Sequence, residues 1–97
     1  MQDVPAIARA AHALGATVLL DNTWATPLFF DAFAHGVDLS IQAVTKYIGG
    51  HADVMMGYVC ANESHKSRLE RTHTDLGLYV SGDDCFLALR GLRTLAV

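Results

Sequence analysis

A chain of 97 residues holds one domain at most, and this one is 52% apolar, only 18% charged and carries a net charge of −3. So much apolar side chain in so short a chain reads as the interior of something larger, because a small domain buries only about two thirds of its unfolded surface. The absence of a basic, aromatic-interleaved stripe argues against nucleic acid, and no run reaches the roughly 18 apolar residues of a membrane span.

Met1 is not followed by a basic segment and an apolar core, so no signal peptide is visible. Asp3 is placed to cap a helix from Val4 to about Leu14, with Pro5 in its first turn and Gly15 as its stop. Val4, Ile7, Ala11 and Leu14 share one face at helical spacing. Thr17-Val18-Leu19-Leu20 follows as a continuously apolar strand, expected to be covered on both faces. Thr26 and Pro27 open a second helix that should run to Gly36, burying Leu28, Phe29, Ala32 and Phe33. The second strand is 38–44, which completes a parallel crossover unit. A third strand, 54–61, returns after a loop of about nine residues, too short for the dozen or more that a parallel crossover needs, so it is expected to run antiparallel. Ser64 then caps a polar helix to about Leu76. Ser81 with Asp84 forms a capping box for a last helix whose stripe is Cys85, Leu89, Leu92 and Ala96, with Arg90 and Arg93 off it. Cys60 and Cys85 read as reduced core thiols of a cytoplasmic protein. The first helix cap lies close to the start and a helical pattern runs to Val97, so both ends look cut.

In open α/β sheets ligands bind outside the carboxyl ends of the strands. Asp21 follows the first strand directly and Lys46 follows the second, just ahead of Gly49-Gly50. If those strands are parallel, both side chains leave the same sheet edge. A lysine in partly apolar surroundings loses solvation for its ammonium form, and the neutral amine is a nucleophile toward carbonyls. A lasting anion beside such an amine suits a protonated heterocycle carrying an aldehyde, and pyridoxal phosphate is such a molecule. Thr45 could give its hydroxyl to the phosphate. Singly, each residue has a plainer reading: a lysine after a strand is most often on the surface, and an Asp at a strand end most often makes a turn. His51 and Asp53 are two candidate metal ligands without a third, and His12, His35, His65 and His73 read as surface residues. Trp24, Phe29 and Phe30 read as core, with Trp24 near enough to Asp21 to approach a bound ring. A metal-dependent hydrolase using Asp21, His51 and Asp53, and a noncatalytic α/β module, therefore stay open.

Asp21-Asn22-Thr23-Trp24-Ala25, Thr45-Lys46-Tyr47, Gly50-His51-Ala52-Asp53 with Gly57, and Leu89-Arg90-Gly91-Leu92-Arg93-Thr94-Leu95 together resemble the Cys/Met-metabolism (trans-sulfuration) family of pyridoxal-phosphate enzymes over essentially the whole chain. The resemblance implies an α/β fold: residues 1–97 as a single incomplete segment, the central part of the large cofactor-binding domain of a fold-type I enzyme, with a mostly parallel sheet, one antiparallel strand and helices on both faces. It implies Lys46 as Schiff-base lysine and proton shuttle, Asp21 as partner of the pyridinium nitrogen, Thr45 as a phosphate contact, and His51 and Asp53 as braces of the lysine loop. Two positions depart from the common pattern: Ala43 and Ala52 stand where many members have serine. With Trp24 and Met55-Met56-Gly57, the Ala43 form is most similar to the bacterial cystathionine β-lyase branch. That branch implies α,β-elimination of L-cystathionine to homocysteine, pyruvate and ammonia in methionine synthesis, by a cytoplasmic homotetramer whose substrate is a sulfur amino acid. Sister activities (γ-lyase, γ-synthase, cysteine-conjugate lyase) share the scaffold. The family's glycine-rich phosphate loop, ring-stacking tyrosine and substrate-carboxylate arginine lie outside such a segment, so the segment alone is expected to be inactive and, with bare sheet edges and apolar faces, to aggregate.

Overall fold

The computed structural model describes residues 2–97. Helix α1 spans Val4–Ala13, strand β1 Leu19–Asp21, the short helix α2 Thr26–Phe29, a 3-10 turn Phe33–His35, strand β2 Leu39–Ala43, strand β3 Gly57–Ala61, helix α3 Glu63–Asp75 and helix α4 Gly82–Leu92. The strands form one sheet in the order β1-β2-β3. β1 and β2 are parallel, with Asp21 opposite Ile41, whereas β3 is antiparallel to β2, with Ala43 opposite Gly57. The antiparallel return follows from the chain length available between β2 and β3.

Alternation along β2 sends Ser40 and Gln42 to one face and Leu39, Ile41 and Ala43 to the other. On the first face Val44, Ile48 and Val54 form the buried cluster, and Met56, Tyr58, Leu87, Ala88 and Leu95 pack against it. Leu87 and Ala88 bring helix α4 onto that cluster, while Ser40, Tyr58 and Cys60 on the same face share a cavity with Pro27, Phe30 and Phe33. On the second, Leu19 and Leu39 share a cavity with His65, Arg68 and Leu69 of α3, so helices lie on both faces as expected. β1 is an edge strand, and Leu19 stays 57% exposed. Among the described residues no helix is long and apolar enough to cross a membrane.

The ends of α1 follow their sequence signals. Asp3 accepts from the Ala6 N–H at 3.0 Å. Gly15, at φ +71°, donates to the His12 carbonyl while Ala16 donates to that of Ala11, the paired bonds of a Schellman stop. The docking face differs from the expected stripe. Ile7 and Leu14 are exposed, and Ala8 is the buried residue. It meets Gly36, where a Cβ would lie 3.1 Å from the Ala8 Cβ. A small contact lets the helix backbone come close, and the larger apolar residues are left outside.

The expected helix from Thr26 to Gly36 breaks after Phe29. Phe30 is extended at φ −145° and ψ 107°. The Asn22 amide donates to the carbonyls of both Thr26 and Phe30, at 3.3 and 3.0 Å. Asp31 then accepts from the N–H groups of Phe33 and Ala34 and starts a separate turn. Side-chain bonds of this kind compete with the helix ladder. Of the four residues expected inside, only Ala32 is buried. The cap of α3 also shifts, from Ser64 to Asn62, whose side chain accepts from the His65 N–H at 3.1 Å. In α4 Ser81 caps as expected, accepting from the Asp84 N–H and donating to its carboxylate. The face that docks is Leu87, Ala88, Gly91 and Leu95 instead of Cys85, Leu89, Leu92 and Ala96. Cys60 and Cys85 are free, as expected, and exposed in this segment.

Asp38 ties the far end of the sheet together. Buried at the start of β2, its Oδ2 accepts from the Val18 N–H and pairs with His12 Nε2, both at 2.8 Å, and its Oδ1 accepts from Asn62 at 2.9 Å. Burial alone would push this carboxyl up, but the bonds from Val18, His12 and Asn62 outweigh it and hold it below the usual range. A carboxyl depressed in the folded state adds stability above its unfolded pKa and loses it as pH falls through the folded value. Asp38→Ala is therefore expected to destabilise the full-length protein at neutral pH by about 1–3 kcal/mol per buried donor left unpaired. The gap to wild type, read from urea midpoints, should close in acid.

Candidate cofactor site

The site stands at the carboxyl ends of the two parallel strands. Asp21 is the last residue of β1. Its Oδ1 accepts twice from Thr23, from the hydroxyl at 2.6 Å and the N–H at 3.0 Å. Those two bonds, the hydroxyl first, outweigh desolvation and hold the Asp21 carboxyl below its ordinary value. It is an anion at neutral pH.

Lys46 sits in a wound loop just past β2. Its N–H donates to the Ala43 carbonyl at 3.0 Å, Gly49 N–H to Val44 at 2.6 Å, and Gly50 N–H to Lys46 at 3.0 Å. The winding turns Val44 and Ile48 into the core and Lys46 away from it. Lys46 is thus exposed at the rim of a cavity that Trp24, Ala43, Tyr47 and Ala52 also line, a partly apolar surrounding. Gly49 is required here, because a Cβ would stand 2.8 Å from both the Val44 carbonyl oxygen and Val54 Cγ1.

Helix α4 braces the loop from behind. A Cβ on Gly91 would collide with the Ile48 carbonyl oxygen and lie 2.6 Å from that of Gly49. The Arg90 guanidinium pairs with Asp53, and this hydrogen bond is the main reason the Asp53 carboxyl is lowered. His51 Nδ1 lies 3.1 Å from the Gly49 carbonyl oxygen. Gly91→Ala is expected to cost about 1–3 kcal/mol through overpacking. Because it displaces the loop, exchange of the Gly49 and Gly50 amides should quicken more than that of the β2 amides.

Asp21 and Lys46 line one open cavity of about 890 Å³ with Thr23, Trp24, Ala43 and Tyr47, closed at one side by residues 50–52. Trp24 is 90% exposed and stands on this rim, not in the core. Thr45 is not among the lining residues. Its hydroxyl donates to the Met56 carbonyl at 3.2 Å and accepts from the Met56 N–H at 3.0 Å, which stitches the lysine loop to the approach of β3. His51 and Asp53 do not converge with Asp21 as ligands: among the described residues no group of three or more His, Cys, Asp or Glu is placed to hold a metal ion. The role not read from sequence is that of Thr23. Its signal was the Asp-x-Thr spacing at a strand end, where an Asp side chain bonds the backbone two residues on.

These residues fit pyridoxal phosphate. The Asp21 Oδ1 is satisfied by Thr23, which leaves Oδ2 for a cationic ring nitrogen, while an amine for the aldehyde and aromatic side chains for the ring border the same cavity.

Known proteins agree with that chemistry. The profile of the family described as "Cys/Met metabolism PLP-dependent enzyme" matches residues 1–97. A cystathionine β-lyase of Bordetella avium is 45% identical over 98 residues, covering 100% of this chain and 25% of its own. A cystathionine γ-lyase of Dictyostelium discoideum is 42% identical, covering 98% and 24%. The crystal structure of cystathionine γ-synthase from Xanthomonas oryzae pv. oryzae in complex with cystathionine superimposes with a TM-score of 0.93 at 39% identity, covering 99% of this chain and 25% of that one. The chain spans about a quarter of the length of the curated relatives it matches. With its whole length matched and a lysine, a carboxylate and a cavity suited to the cofactor, the chain belongs to the Cys/Met-metabolism family of pyridoxal-phosphate-dependent enzymes.

Proposed function

We propose that the full-length protein carrying this segment is a carbon–sulfur lyase of the cystathionine β-lyase type. It cleaves L-cystathionine by α,β-elimination to homocysteine, pyruvate and ammonia as a cytoplasmic homotetramer serving methionine synthesis. The observation that carries this reading is the convergence of the Asp21 carboxylate and the Lys46 amine on one cavity at the carboxyl ends of parallel strands.

Bound there, pyridoxal phosphate supplies an electron sink for the charge that develops at the substrate α-carbon. Asp21 Oδ2 would hold the ring nitrogen in its protonated state. Lys46 Nζ would hold the cofactor aldehyde and, as a free amine, would be the base placed to take the α-proton. Removal of that proton would let the Cβ–S bond break with homocysteine thiolate as leaving group, and hydrolysis of the remaining three-carbon unit would give pyruvate and ammonia. Thr45 would reach the phosphate only by giving up the bond its hydroxyl donates to the Met56 carbonyl. Gly91 and the Arg90–Asp53 pair hold the lysine loop in place.

The β-elimination reading rests on Ala43 before Thr45-Lys46 together with Trp24. Product analysis tests it. Full-length protein given L-cystathionine should yield pyruvate and homocysteine. Release of 2-oxobutyrate and cysteine would move the assignment to a γ-lyase, and no cleavage at all would remove the lyase reading.

A further inference from the structure

The hydroxyl of Thr23 does more than close a turn. It accepts from the Ala43 N–H at 2.8 Å and donates to Asp21 Oδ1 at 2.6 Å. Thr23 is buried at 9% exposure, so water competes poorly for either bond. Ala43 ends β2, and its carbonyl accepts from the Lys46 N–H. One residue thus spans from the strand that carries the lysine loop to the carboxylate at the end of the neighbouring strand. The Thr23 N–H adds a second bond to the same Oδ1. Both bonds fall on Oδ1, and among the described residues Oδ2 is the oxygen left without a hydrogen-bond partner.

We infer that Thr23 is a positioning residue for the cofactor: its hydroxyl links Ala43 to Asp21 and occupies Oδ1, so that Oδ2 is the oxygen presented to the cationic ring nitrogen. The inference rests on the assignment of the cavity as the cofactor site. Valine has the shape of threonine but can neither donate to Asp21 nor accept from Ala43, whereas serine keeps both bonds.

Three measurements on the full-length protein test it. In cofactor-free wild type, the Asp21 carboxyl, followed by carbon-13 NMR, should titrate below the ordinary carboxylate range. Thr23→Val should move it up toward that range, and Thr23→Ser should leave it low. In the loaded protein, Thr23→Val should weaken cofactor affinity about tenfold or more, as for loss of a hydrogen bond to a charged group. It should also shift the pH midpoint of the bound-cofactor absorbance, with serine restoring both. An ordinary titration of Asp21 in wild type overturns the inference whether or not the valine variant folds. So does a valine variant that matches wild type in affinity and in the absorbance titration. Borohydride labelling of Lys46 separates this failure from that of the cofactor site. Labelled Lys46 with an unaffected valine variant defeats the Thr23 inference alone, while unlabelled Lys46 in wild type removes both.

Discussion

Lys46→Ala in the full-length protein is expected to lower elimination by about 10²–10⁴-fold at saturating cofactor, the range associated with loss of a positioned acid–base group. The lysine has two tasks, anchoring the aldehyde and moving the α-proton, so the upper end of that range is expected. The loop itself should survive the change. Its bonds run through the Lys46 backbone N–H and carbonyl, and its buried contacts come from Val44 and Ile48. A variant with unchanged thermal midpoint and near-wild-type turnover would show that Lys46 is only a surface lysine. Steady-state pyruvate release, read together with a melting curve, distinguishes these outcomes.

Asp21→Asn removes the charge and keeps the shape. The asparagine oxygen can still accept from Thr23, but no anion remains to hold a proton on the ring nitrogen. Truncating one partner of a close, hydrogen-bonded charge pair typically costs about 2–5 kcal/mol. Cofactor affinity should fall accordingly, and turnover should fall further because an unprotonated ring is a poorer electron sink. Asp21→Glu keeps the charge but lengthens the arm beyond the geometry fixed by Thr23, so it should rescue only in part. Equal affinity for wild type and Asp21→Asn, measured by cofactor titration, would place the ring nitrogen elsewhere.

Much of this was legible in the sequence where the local signal coincided with the tertiary outcome. Asp3 and Gly15 delimit α1, Ser81 caps α4, and chain length between β2 and β3 sets the antiparallel pairing. The convergence of Asp21 and Lys46 followed from parallel strands alone. What sequence missed was decided by distant partners. The helix expected from Thr26 to Gly36 carried a good apolar face, but the Asn22 amide caps its carbonyls after one turn. The stripes of α1 and α4 were read by counting large apolar residues, whereas the helices dock where small ones permit close approach, Ala8 on Gly36 and Gly91 on the lysine loop. The two bonds between the Thr45 hydroxyl and the Met56 backbone, a partner eleven residues on, are likewise announced by no local pattern. The exposure of Lys46 comes from the loop winding, which turns Val44 and Ile48 inward and the lysine toward the cavity.

The most direct measurement is chemical trapping in the full-length protein. Incubated with pyridoxal phosphate, reduced with borohydride, digested and mapped by mass spectrometry, it should carry a pyridoxyl group on Lys46, absent from the Lys46→Ala variant. A folded, cofactor-saturated protein whose Lys46 peptide stays unmodified would contradict the assignment of this cavity as the cofactor site.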